Sequence, residues 1–132
     1  MKKIFFALIL AILALESCTK EDPTAWIDRT SWKFLEKNSE GFKTECNLYL
    51  RPNGEVYYYR GFPPSYGYAY DEYRYNIISY TYNGDKSGTI KLKGVSQYNY
   101  NEECTADFTL NYNNEKMTIN TPHFYATLER TK

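Results

Sequence analysis

Residues Phe42 to Arg60 do most to limit what this chain can fold into. Phe42, Thr44, Cys46, Leu48 and Leu50 alternate with Lys43, Glu45, Asn47, Tyr49 and Arg51, the period of two that a half-buried β-strand requires. A helix, with its longer repeat, would scatter that apolar set around its whole surface. Pro52-Asn53-Gly54 follows at once. Asn-Gly tolerates the positive φ angles of tight turns and predicts a hairpin. Glu55 to Arg60 is then the returning strand.

The same grammar extends in both directions. Thr30 to Glu36 reads as a first strand with Trp32 and Phe34 on one face, and Asn38-Ser39-Glu40-Gly41 supplies turn chemistry. Gly61-Phe62-Pro63-Pro64-Ser65 breaks the pattern and opens a loop running to about Asp71. Strand character resumes from Tyr73 to Tyr82, turns over Asn83 to Gly88, and returns from Thr89 to Lys93 with Ile90 and Leu92 on one face. Val95 to Glu103 reads equally as an irregular strand or a long loop. Thr105 to Tyr112 places Ala106, Phe108, Leu110 and Tyr112 inward. Asn113-Asn114-Glu115 turns the chain into Met117 and Ile119, and a last strand from His123 to about Arg130 carries Phe124, Ala126 and Leu128 on one face. Short strands at this spacing, joined by turns, predict an all-β fold. The expected architecture is an antiparallel up-and-down β-barrel of about eight strands, with a β-sandwich as the alternative.

Composition supports the class. Fifteen tyrosines occur, ten of them between Tyr57 and Tyr82, and tyrosine favours strands while carrying a polar tip on an apolar body.

The first residues have a different character. Lys2 and Lys3 precede an unbroken apolar run from Ile4 to Leu15. That is the pattern of a secretory signal, and as a helix it would reach only about 18 Å, too short to cross a bilayer. Leu15-Glu16-Ser17-Cys18 resembles a bacterial lipobox. The resemblance implies that residues 1–17 are removed, that Cys18 becomes the lipidated first residue, and that residues 18–29 are a polar tether before a barrel domain of residues 30–132. Two or more acyl chains, such as diacylglycerol with palmitate, anchor stably where one is marginal. Lys20-Glu21-Asp22 resembles the export signal of surface lipoproteins in the Bacteroides group, which implies an outer-membrane, lipid-anchored domain exposed at the cell surface.

Removing Lys2, Lys3 and Glu16 from 16 basic and 16 acidic residues leaves 14 and 15, a net charge of −1. A near-neutral domain offers no basic field for nucleic acid. Cys46 and Cys104 remain in a compartment that permits a disulfide. Such a bond would close a loop of roughly 58 residues and contribute about 4 kcal/mol in the chain-entropy model. Two separate buried thiols are the other reading.

The Trp32 strand, the Asn53-Gly54 hairpin, the run Ser79-Tyr80-Thr81-Tyr82-Asn83-Gly84-Asp85-Lys86-Ser87-Gly88-Thr89-Ile90-Lys91-Leu92 and the final Thr127-Leu128-Glu129-Arg130 strand resemble the lipocalin-like small surface lipoproteins of the Bacteroides group. The resemblance implies a lipocalin-like barrel, a cell-surface location and little chemistry. In true lipocalins a late arginine packs across the opening tryptophan, which makes Arg130 the candidate partner of Trp32.

No catalytic or metal-ligating constellation is expected. His123 is the single histidine, no Gly-x-Ser-x-Gly motif surrounds a serine, and the adjacent acids Asp71-Glu72 and Glu102-Glu103 point to opposite faces of any strand they occupy. The domain is expected to be a non-enzymatic monomer without cofactor that binds an extracellular ligand or partner. A glycan-binding accessory of an uptake system, or a structural or inhibitory protein-interaction module, are the alternatives. Tyr57, Tyr59, Phe62, Tyr66, Tyr68 and Tyr70 are the candidate ligand-binding residues, because aromatic side chains give large rigid contact area at low entropic cost.

Overall fold

The period-two strands close on themselves. The computed structural model describes residues 25–63 and 70–132; Cys18 and the Lys20-Glu21-Asp22 signal lie outside them, as do Tyr66 and Tyr68. Eight strands follow in order: β1 (Thr30–Lys37), β2 (Lys43–Leu50), β3 (Glu55–Gly61), β4 (Tyr70–Tyr82), β5 (Ser87–Gly94), β6 (Glu103–Leu110), β7 (Lys116–Asn120) and β8 (Tyr125–Arg130). Each pairs antiparallel with the next, and β1 pairs with β8 to close the up-and-down barrel. The ambiguous stretch 95–102 is a connection, with β6 beginning at Glu103.

Side chains fill the interior. Trp32, Cys46, Leu48, Leu50, Val56 and Tyr75 from β1–β4, with Ile90, Leu92, Phe108, Met117, Ile119 and Leu128 from β5–β8, are all 3 % exposed or less. They form one packed cluster, as the inward positions of a small barrel do. In β4 the alternation changes phase. The register moves from Ile77↔Leu92 to Ser79↔Lys91, so Tyr73, Tyr75 and Ile77 pack inward before the bulge and Tyr80 and Tyr82 after it, leaving Ile78 exposed. A bulge adds one residue and resets which face the following residues occupy.

The two ends of the barrel differ. At one end tight turns join the strands. Gly54 N–H donates to Arg51 O at 2.8 Å while Asn53 takes φ 58°. A Cβ on Gly54 would lie 2.0 Å from the Tyr49 carbonyl oxygen, so only glycine fits. The β6–β7 turn is built by Asn111, whose Oδ1 accepts from Glu115 N at 2.9 Å and Lys116 N at 3.0 Å. That turn ends β6 at Leu110, and Tyr112, expected inward, is 89 % exposed on it.

A 3₁₀ turn, Ala25–Ile27, lies across this same end. Ile27 is 2 % exposed within the core cluster, and Arg29 N donates to Leu50 O at 2.8 Å. Thr30 Oγ1 donates to Ile27 O at 2.7 Å and accepts from Trp32 Nε1 at 2.8 Å. Residues 25–29 therefore belong to the domain rather than to the tether expected over 18–29. The late arginine, Arg130, is the β8 register partner of Trp32; its guanidinium lies 5.0 Å from the centre of the Trp26 ring, while Trp32 donates its indole N–H to Thr30.

The expected disulfide does not form. Cys46 on β2 and Cys104 on β6 are both free. In a closed order of eight strands β2 and β6 are four apart in either direction, on opposite walls of the barrel. Facing inward gives two residues the same parity, and only proximity gives them a bond.

Candidate functional site

The opposite end gathers the β1–β2 connection, the end of β3, the start of β4, and the connections 95–102 and 121–124. Here the aromatic side chains converge. The β7–β8 connection lays two rings across the barrel onto the far wall: Phe124 stacks on Tyr58 at 4.3 Å and 4°, and His123 on Tyr73 at 4.3 Å and 6°. Tyr58 and Tyr73 are register partners on β3 and β4, so one strap covers two adjacent inward tyrosines. Thr121 fixes the strap, its N–H and Oγ1 donating to Phe124 O at 2.9 and 3.1 Å.

His123 is held from a third element. Its Nε2 sits 2.8 and 3.0 Å from the two carboxylate oxygens of Glu102, and Tyr75 Oη is 3.5 Å from the same carboxylate. Charge-assisted contact of this kind joins the β5–β6 and β7–β8 connections. The pair is about 30 % exposed; Glu102 is thus turned toward His123 while its neighbour Glu103 faces solvent.

The β5–β6 connection is the best-built element of this end. Asn99, 5 % exposed, accepts at Oδ1 from Ser96 N at 3.1 Å and from Ser96 Oγ, and its Nδ2 donates to Arg74 O at 3.1 Å. Ser96 Oγ also approaches Glu72 O at 3.1 Å. Gly94 N donates to Glu102 O at 2.7 Å and Asn101 N to Gly94 O at 3.0 Å. A Cβ on Gly94 would meet Asn99 O at 1.9 Å, so the strand must end in glycine for the loop to fold over it. Burying Ser96 and Asn99 turns the residues between and beyond them outward. Tyr98 is 45 % and Tyr100 74 % exposed.

A chain of rings results. Tyr59 stacks on Tyr70 (6.0 Å, 27°), Tyr70 meets Tyr98 edge-on (5.8 Å, 84°), Tyr98 leans on Tyr73 (6.4 Å, 58°), and Tyr73 carries His123. Two polar contacts lie along it. Arg60 pairs with Asp71, and Glu102 with His123.

The sequence-expected ligand residues are only partly assembled. Tyr59 and Tyr70 join the rim. Tyr57 lies on the outer wall with Arg74 at 5.2 Å from its ring centre, and burial together with the nearby Glu72 and Glu45 carboxylates raises its hydroxyl pKa. Phe62 is half-buried against Phe42 (5.8 Å, 80°) with Arg60 over its ring. Tyr98 and Tyr100 were missed because 95–103 lacked a clear period; the Tyr-Asn-Tyr-Asn run itself was the available signal.

No family model, curated protein or solved structure matches the chain.

Burial pushes the Cys46 thiol up to about 12. Cys104 is raised by burial and by Glu102, so both thiols stay protonated near neutral pH and neither supplies a thiolate. A cleft of ≈ 340 Å³ is lined by Ile78, Lys91, Leu92, Glu103, Cys104 and Thr105. Burial likewise raises the Tyr75 hydroxyl. Among the described residues no group of three His, Cys, Asp or Glu side chains is placed to hold a metal ion.

Proposed function

We propose that this protein is a non-enzymatic lipoprotein, anchored in the outer membrane through Cys18 and displayed at the cell surface, that engages an extracellular ligand or partner through the aromatic rim. One observation carries the reading. The chain enters the barrel at the end covered by the Ala25–Ile27 turn, and the tyrosine rim lies at the other end. Six residues lie between Cys18 and Ala25, a span of at most about 25 Å. Strands of about eight residues set the rim a further 20–25 Å or so from the covered end. A lipid on Cys18 would hold the covered end toward the membrane and turn the rim outward. The packed interior supports surface contact over enclosure of a ligand, and exposed aromatic residues on a pre-organised loop are suited to it.

Two experiments test the reading. In cells fed an alkyne palmitate, the wild-type protein takes the label and is cut by protease added to intact cells, and Cys18→Ala loses the label. A labelled C18A protein, or full protection in intact cells, rejects the anchoring. For the rim, a photo-crosslinking p-benzoylphenylalanine at position 100 is compared with one at position 112, which is equally accessible at the opposite end. Adducts form from position 100 alone; equal yields from both positions, or none, reject the rim.

A further inference from the structure

The chemistry of the rim also selects a ligand class. We propose that it binds a neutral, hydroxyl-rich carbohydrate chain lying along the ring series from Tyr59 through Tyr70 and Tyr98 toward Tyr73. The assignment rests on the rim being the contact surface and asks which molecule fits it.

Three features point to this occupant. The rings form a series of four contacts spaced 4.3–6.4 Å apart, a ridge rather than a socket, which suits a chain of repeated units over one compact molecule. The cations against the ridge are paired: Arg60 is neutralised by Asp71, and Lys43, 5.8 Å from the centre of the Tyr59 ring, by Glu45 at 3.0 Å. An anionic polymer would meet no surplus of cations here. Beside the paired charges, Gln97 and Asn101 add amides on the same connection as Tyr98 and Tyr100. Such groups donate and accept at once, as sugar hydroxyls do.

A peptide partner fits less well. Among the exposed large apolar side chains of the β5–β6 connection Val95 is the one aliphatic member, at 38 %, beside Tyr98 and Tyr100. Ring faces with phenolic edges offer a sugar its apolar C–H face and its hydroxyls together. Pre-organisation adds to this, since the buried Ser96–Asn99 pair fixes the loop before any ligand arrives.

The test is affinity electrophoresis of the mature lipoprotein in detergent through gels containing laminarin, pullulan, galactomannan or arabinoxylan, with polygalacturonate and heparin as charged controls. At least one neutral polysaccharide retards the wild-type protein. Tyr98→Ala weakens that retardation at least tenfold, and Tyr112→Ala, at the opposite end, leaves it unchanged. Trp26 and Trp32 sit at the covered end, so an unaltered tryptophan emission spectrum certifies that Y98A is folded. Tyr70→Phe, which keeps the ring and removes the hydroxyl, separates stacking from hydrogen bonding and retains more binding than Tyr70→Ala. Retardation by the acidic polymers alone, equal loss in Y98A and Y112A, or no retardation in any neutral gel overturns the assignment. If position 100 still crosslinks selectively on cells while every neutral gel is silent, the rim stands and the carbohydrate class falls.

Discussion

Asn99→Ala isolates what builds the rim. The side chain makes three contacts: it accepts from Ser96 N at 3.1 Å and from Ser96 Oγ, and donates to Arg74 O at 3.1 Å. Two of the partners have a second bond. Arg74 O also accepts from Val95 N at 2.9 Å, and Ser96 Oγ retains Glu72 O at 3.1 Å. The Ser96 N–H is the group left without a replacement in a residue 9 % exposed. At about 1 kcal/mol for each neutral bond, with most of the orphaned donor's cost added, the loss comes to about 2–3 kcal/mol. Urea unfolding followed by Trp26 and Trp32 emission reads this at the far end of the barrel. With m near 1–1.5 kcal/mol/M for a domain of this size, the midpoint drops by roughly 2 M. Amide exchange at Ser96 and Asn101 accelerates in the folded variant beyond what the global change explains, because the loop loosens first. A stability change below about 0.5 kcal/mol, the range of an ordinary surface substitution, with Ser96 exchange unaltered, would refute the argument that this pair sets the loop.

Further outcomes follow from the same structure. Phe124→Ala removes a ring 7 % exposed that stacks on Tyr58, and denaturant unfolding should show a loss of about 3 kcal/mol. The mature protein gives the same mass before and after reduction, and Cys46 and Cys104 both react with a thiol reagent on unfolding without reductant; a single reacting thiol, or none, contradicts the free pair. Glu45 has its carboxyl pKa lowered by Asn47 and then Lys43. Its contribution is therefore present above the ordinary carboxyl pKa of 4.5 and lost as pH falls through the lower folded value. Glu45→Gln flattens that acid-side decline in the pH–stability profile, and an unchanged profile would discount the interaction.

The sequence by itself determined the class and the wall. Alternation in 42–50, 87–94 and 103–110, with turn residues between, has no other economical solution than antiparallel strands, because a period of two and a tight turn are both local properties. What only the tertiary structure decided depends on closure. Closing eight strands set β2 opposite β6, which kept two inward cysteines apart. Closure also brought residues 123 and 124 over Tyr73 and Tyr58, set Glu102 beside His123, and put Arg130 on Trp26. Tyr98 and Tyr100 became a rim because Ser96 and Asn99 found partners on β4, some 20 to 25 residues earlier in the chain. Periodicity fixes which way a side chain faces; which other side chain it meets is set by the barrel's circumference, and that is a property of all eight strands at once.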